Sequence, residues 1–302
     1  MHNGPRLLQE RVKRSIMKLS YGVGRKVLWR ALIAVLLVVY AGGLAALYVF
    51  QRSLVFQPDD ARPAVAAADV PGLRAVRITT ADGLRLLAWY RPAIEGRPVL
   101  VYFHGNGGSL ADRMPRIRRF AQTGWGLLFL EYRGYGGNPG QPSEAGLDAD
   151  ARGAMAFLRQ QGPAPTVLYG ESLGTGVAAR IASEQPVAAL LLESPYTSII
   201  AIAQERYWFM PVGLLMRDPF ELQPLMAGIH APVLVMQGGR DDVVPPAMGR
   251  AVFAAAHEPK QLWTAPEGTH ADLMAFGAAE AAIRFVRTYV PAARAAASGS
   301  AY

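Results

Sequence analysis

An α/β architecture, a mostly parallel sheet with helices on both faces behind one N-terminal transmembrane helix, follows from three features of this 302-residue chain. From residue 99 to 289, short apolar runs alternate with segments of helical period. Ala31–Phe50 is a stretch of 20 residues without a charge, placed directly after a cationic tail. Ser172 stands between a short apolar run and a helical segment, with Gly170 and Gly174 two residues away on either side. Alternation of this kind buries a parallel sheet on both faces, and the composition, 51% hydrophobic, is rich enough for a sizeable core.

Taken in order, residues 1–30 form a basic tail. They carry eight Lys and Arg residues against the single acid Glu10, so nearly all of the chain's net charge of +8 sits there. A nucleic-acid binder needs its positive charge as a patch on the folded domain, so that class is excluded. At 1.5 Å per residue, residues 31–50 span about 30 Å, the hydrocarbon thickness of a bilayer. The apolar run is longer than that of a signal peptide, and Tyr48-Val49-Phe50-Gln51-Arg52 offers no small-residue cleavage site. The reading is an uncleaved single-pass anchor in the inner or plasma membrane. By the positive-inside rule the N-terminus, with His2, is cytoplasmic and everything after Phe50 is extracytoplasmic, that is, periplasmic. Leu7–Leu19, with apolar residues at helical spacing among cations, reads as a segment on the inner membrane surface or a solvated helix.

Residues 51–72, with Pro58, Pro63 and Pro71, are expected to be a linker, and 73–290 the α/β domain. Ala75–Thr80 and Leu84–Tyr90 flank Ala81-Asp82-Gly83, a hairpin turn signal. Strands are then expected at Val99–Phe103, Leu127–Tyr132, Thr166–Tyr169, Val187–Leu192, Val233–Met236 and Gln261–Thr264. Helices are expected at Ala111–Thr123, Glu144–Gln160, Gly176–Glu184, Pro246–Ala256 and Ala271–Tyr289. Residues 195–231 interrupt the alternation with Tyr207-Trp208-Phe209-Met210 and Leu214-Leu215-Met216. They read as a short apolar lid, or as extra packed helices. Residues 291–302, rich in Ala, Ser and Gly, read as a disordered tail.

The chemistry starts at Ser172. In a strand–turn–helix elbow, G-x-S-x-G, the turn is so tight that a side chain two residues from the serine would collide with its neighbours. The hydroxyl then projects beyond the sheet edge, and the N–H of Leu173 opens a helix where a developing oxyanion is stabilised. A serine that merely caps a helix would give the same five residues, so the partners decide. The chain has no cysteine, which excludes disulfides, thiolate metal sites and a cysteine nucleophile. Among the histidines, His270 lies in the loop after the last strand and opens the last helix, downstream of all other elements. The loop Gly238-Gly239-Arg240-Asp241-Asp242 offers two carboxylates to orient it. Asp241 is preferred because it comes first, ahead of Val243-Val244-Pro245-Pro246, and Asp242 is the alternative. The pair does not read as a metal site, because no further ligand stands nearby. His104-Gly105-Asn106-Gly107-Gly108 gives a glycine-rich turn at the end of a strand, and by position the Asn106 N–H is the second oxyanion donor. Gly174-Thr175-Gly176 imitates part of a dinucleotide fingerprint, but Glu171-Ser172-Leu173 separate it from its strand, so no nucleotide and no other cofactor is expected.

These motifs, with Glu131-Tyr132-Arg133-Gly134-Tyr135-Gly136, Leu192-Glu193-Ser194-Pro195-Tyr196 and Phe50-Gln51-Arg52-Ser53-Leu54-Val55-Phe56-Gln57-Pro58, occur in the order seen in α/β-hydrolases. The chain most resembles the membrane-anchored hydrolase-domain serine hydrolases, a group that includes eukaryotic protein depalmitoylases and bacterial esterases and lysophospholipases. The resemblance covers roughly residues 30–290. It implies the α/β-hydrolase fold, nucleophile Ser172, acid Asp241, base His270 and oxyanion N–H groups from Asn106 and Leu173. One departure is Gln237, where the group more often has histidine before the glycine; that position is not catalytic. The expected activity is cleavage of acyl esters or thioesters, with a lipid-like substrate and the membrane as partners. A serine peptidase of the same fold and a catalytically silent membrane scaffold are the alternatives.

Overall fold

The computed structural model describes residues 4–291, and the tail expected over 291–302 therefore lies almost wholly outside the described residues. The chain divides into two compact units, with the boundary between Gln51 and Arg52.

The first unit is most of one helix, α1 (Gly4–Val55). Its stretch Lys26–Val55 is long and apolar enough to cross a membrane. No glycine or charge inside 31–50 interrupts it, apart from the tolerated pair Gly42-Gly43.

The second unit begins with a two-residue strand, β1 (Gln57–Pro58), and a 3-10 turn at Val65–Ala68. Then come β2 (Arg74–Thr79), β3 (Arg85–Arg91), β4 (Val99–Phe103), β5 (Gly107–Gly108), α2 (Met114–Ala121) and β6 (Gly126–Leu130). They are followed by α3 (Glu144–Gln160), β7 (Thr166–Glu171), α4 (Leu173–Glu184) and β8 (Ala189–Glu193). Three short helices, α5 (Ile199–Arg206), α6 (Val212–Leu215) and α7 (Leu222–Leu225), precede β9 (Val233–Gly238), α8 (Pro246–Ala255), β10 (Lys260–Ala265) and α9 (Ala278–Tyr289).

Eight strands form the main sheet in the order β10-β9-β8-β7-β4-β6-β3-β2. Every pair from β10 to β6 is parallel, and the β2–β3 hairpin closes one edge antiparallel. The fully buried runs Val99–Phe103 and Gly126–Leu130 carry apolar residues on both faces, as a doubly covered parallel sheet demands. One face packs Val101, Leu128, Leu168 and Val235 against α3, α4 and α8 through Leu147, Val177 and Val252. The other packs Leu100, Phe129, Leu191 and Leu234 against α2 and α9 through Ile117, Phe120 and Val286.

Two boundaries differ from expectation for local reasons. The helix expected from Ala111 begins as a 3-10 turn, Leu110–Arg113, set by a capping box between Ser109 and Asp112, and becomes α2 only at Met114-Pro115. The final helix begins at Ala278 and not at Ala271. Residues 272–277 form successive turns, the Thr269 N–H donates to Asp272 Oδ1, and Gly277 at φ +94° reverses the chain. His270 therefore sits in a turn-built loop and does not open a helix.

Candidate active site

Four connections leave the same edge of the sheet, at the carboxyl ends of β4, β7, β9 and β10. They carry the Asn106 loop, Ser172, Asp241 and His270. Parallel strands place these four segments together although the sequence separates them by up to 164 residues, which is where ligand sites of open α/β sheets lie.

The elbow is built by close backbone approach. A Cβ on Gly170 would lie 2.5 Å from the Gly174 carbonyl oxygen, and one on Gly174 only 2.1 Å from that of Phe103. Glycine is required at both positions. Ser172 itself is held at φ +49°, ψ −116°, a conformation that non-glycine residues rarely adopt. Its N–H donates to the Glu193 carbonyl at 2.8 Å, which fixes the turn against β8. Helix α4 starts immediately afterwards, so the Leu173 N–H is one of the donors that a helix leaves without an intrahelical acceptor.

From Ser172 a continuous line of hydrogen bonds runs inward. The Ser172 hydroxyl donates to His270 Nε2 at 2.8 Å, and His270 Nδ1–H donates to Asp241 Oδ2 at 2.9 Å. His270 keeps 18% of its side chain exposed, whereas the Asp241 side chain is fully buried. Asp241 Oδ1 accepts the N–H groups of Val243 (3.0 Å) and Val244 (2.8 Å), and Oδ2 also accepts from Gln237 Nε2 at 3.1 Å. Burial opposes ionisation of Asp241, but the hydrogen bond and charge of His270 and the two N–H donors outweigh it and hold the carboxyl below the usual carboxylate range. Asp242 is exposed. The remaining described histidines lie elsewhere: His104 is buried 3.2 Å from Glu131, and His230 stacks on His257.

Gly105 lines the other side of Ser172, and a Cβ there would lie 3.5 Å from Ser172 Cβ. Asn106 is the next residue, half-buried, with its carbonyl accepting from Gln57 N–H (2.9 Å) and Tyr135 Oη–H (2.8 Å).

Beneath the elbow lies a charged network that has no local signature in the sequence. Arg116 pairs with Glu193, and Arg113 Nε donates to Glu171 Oε2 at 3.0 Å. Burial raises the Glu171 pKa, but the guanidinium groups of Arg116 and Arg113 prevail and keep it well below the usual range. The network carries the flanks of Ser172, residues 171 and 193, on ionic supports from α2 and from the 3-10 turn before it. Gln237 is the other contributor that sequence reasoning passed over. It directly precedes Gly238 in the sequence, but its bond to Asp241 is visible only in the folded geometry.

A family model described as the α/β-hydrolase fold matches residues 98–228. An uncharacterized protein of Mycobacterium tuberculosis is 38% identical over 245 residues, which cover 80% of this chain and 87% of the relative. The α/β-hydrolase domain-containing protein WAV2 of Arabidopsis thaliana is 29% identical over 289 residues, 85% of this chain and 94% of WAV2. Among solved structures, an esterase of Pyrococcus furiosus aligns with a TM-score of 0.65 at 18% identity, covering 78% of this chain and 98% of the esterase. The likeness to that structure is one of fold.

Proposed function

The chain belongs to the α/β-hydrolase superfamily, and from that premise we propose that it is a membrane-anchored serine hydrolase that cleaves acyl ester or thioester bonds through an acyl-enzyme on Ser172. One observation carries the reading: Ser172, His270 and Asp241 are joined by hydrogen bonds of 2.8 and 2.9 Å at a sheet edge where the serine is held in a strained turn.

Neutral His270 accepts the Ser172 proton as Oγ attacks the acyl carbon, and Asp241 stabilises the imidazolium that forms. The tetrahedral oxyanion is held by the N–H groups of Leu173, at the positive end of α4, and Asn106. His270 returns the proton to the leaving alkoxide or thiolate. A water activated by the same imidazole then releases the acid. No metal or organic cofactor enters this scheme.

A lipid-like acyl substrate is supported by two features. The apolar stretch of α1 holds the catalytic unit at a membrane, with the N-terminus cytoplasmic and the unit after Phe50 on the opposite side. The segment over 195–231, read as a lid, exposes Trp208, Phe209 and Leu214.

A fluorophosphonate probe tests the activity. Labelling of the full chain in detergent that is lost in Ser172→Ala supports the enzyme, and a folded wild-type chain that takes no label overturns it. Hydrolysis of acyl esters from two to sixteen carbons then ranks substrates, and protease accessibility of the catalytic unit in spheroplasts tests the orientation.

A further inference from the structure

We infer that Val55–Asp59, the last residue of the long helix and the four that follow it, are a positioning element of the acyl-transfer site that fixes the loop presenting the Asn106 N–H. The inference rests on the serine-hydrolase reading above.

The loop His104–Gly108 contains three glycines in five residues, and Gly108 stands at φ +77°. A loop so permissive loses much conformational freedom when ordered, and it cannot hold a donor to within a fraction of an ångström from its own preferences. Its order comes from outside. Strand β1 pairs in parallel with β5, Gln57 opposite Gly107 and Pro58 opposite Gly108. The Gln57 N–H donates to the Asn106 carbonyl at 2.9 Å, and the Asp59 N–H to the Gly108 carbonyl at 3.2 Å. Asn106 Nδ2 donates in return to the Val55 carbonyl at 3.2 Å. Carbonyl and side chain of Asn106 are thus both engaged by this segment, with Tyr135 as the second donor to the carbonyl.

The segment is itself anchored to the catalytic unit at three points. Phe56 is buried and packs edge-on against Phe220, ring centroids 6.2 Å apart. The Asp59 carbonyl accepts the Gly136 N–H at 2.8 Å. Just upstream, Arg52 Nε and Nη2 donate to Asp218 Oδ2 and Oδ1 at 2.7 and 3.2 Å. Asp218 Oδ1 also accepts the Glu144 N–H, and Glu144 Oε2 accepts that of Phe220. Asp218 and Phe220 of the 195–231 insertion and the loop that carries Asn106 therefore contact the same short stretch of chain, Arg52–Asp59. Its motif, Phe56-Gln57-Pro58, follows from this: an apolar plug, a backbone donor, and a proline at the position between the two donors, where the pairing uses no N–H.

Full-length variants in detergent test it, with p-nitrophenyl butyrate hydrolysis, the rate of fluorophosphonate labelling and Tm as readouts. Gln57→Pro removes the N–H that holds Asn106 together with the exposed side chain's 3.5 Å contact to the Leu54 carbonyl, whereas Gln57→Ala loses that contact alone and keeps the N–H. The expected result is a fall of about tenfold or more in kcat and in labelling rate for Gln57→Pro, with KM within about twofold, since a displaced oxyanion donor is felt in the transition state and not in substrate binding. Gln57→Ala restores the rate. Asn106→Ala, which keeps its backbone N–H and loses the bond to Val55, gives the same kcat-specific loss even if the proline variant unfolds. Unchanged kcat in folded Gln57→Pro or Asn106→Ala overturns the positioning role while the hydrolase stands. A wild-type chain that neither turns over ester nor takes label overturns both.

Discussion

Gln237 Nε2 donates to Asp241 Oδ2 at 3.1 Å, the same oxygen that receives His270 Nδ1–H at 2.9 Å. With the two valine N–H groups on Oδ1, the carboxylate accepts four hydrogen bonds, about as many as its oxygens hold. The plane of Asp241, and through it the ring of His270, is therefore set by three donors besides His270 itself. Gln237 Oε1 is buried without a partner among the described residues and lies where a Cβ on Gly249 would strike it. Gln237→Leu removes one donor and one unsatisfied acceptor together. The expected outcome is a kcat lower by about fivefold to tenfold, the worth of roughly one hydrogen bond, with Tm unchanged or higher. A lower Tm with normal kcat would assign Gln237 to packing.

The two adjacent aspartates should separate sharply. Asp241 is buried and faces His270, whereas Asp242 is exposed. Loss of the orienting carboxylate in a Ser-His-Asp set costs on the order of 10⁴ in turnover. Asp241→Asn should therefore lose nearly all ester hydrolysis and Asp242→Asn retain it, as measured by kcat on one acyl ester. A comparable loss in Asp242→Asn would reassign the acid.

The backbone at Ser172 is strained, at φ +49° and ψ −116°, a state that costs about 1–3 kcal/mol in a non-glycine residue. Glycine accepts that conformation freely and gives back about 0.5–1 kcal/mol through its looser unfolded state. Ser172→Gly should melt about 3 °C above Ser172→Ala, with both variants unlabelled by fluorophosphonate. Equal melting temperatures would mean that the elbow stores no more strain than the about 0.5–1 kcal/mol that glycine gives back.

What the sequence made legible follows from how local each constraint is. The elbow could be found because a collision between backbones at Gly170 and Gly174 forces a residue type at a fixed spacing. His270 and Asp241 could be found because a parallel sheet delivers the loops after successive strands to one edge. Gln237, the Arg116–Glu193 pair and the β1–β5 pairing depend on residues brought together from 4, 77 and 50 positions apart by the completed fold, and no periodicity records them. The sequence points to a helix start at Ala271 and the structure to one at Ala278, because Leu273, Met274 and Phe276 continue an apolar spacing through turns that only Gly277 interrupts.

Asp148 on α3 makes stability depend on pH in a direction opposite to most carboxylates. Burial pushes its pKa up to about 7, against a weaker pull from Arg180, whose Nε lies 3.5 Å away. An aspartate in the unfolded chain titrates near 3.9. Between those values the folded chain keeps the proton that the unfolded chain has released. The stability that this difference supplies is present in full below about pH 4 and is lost as pH rises through about 7. Asp148→Asn stays neutral throughout and keeps the shape of the side chain. Its Tm should match that of the wild type near pH 4 and exceed it by about 3 °C or more at pH 8. A variant that melts below the wild type at pH 8 would show that the Arg180 pair outweighs the cost of burial, and an offset equal at both pH values would remove Asp148 from the titration altogether.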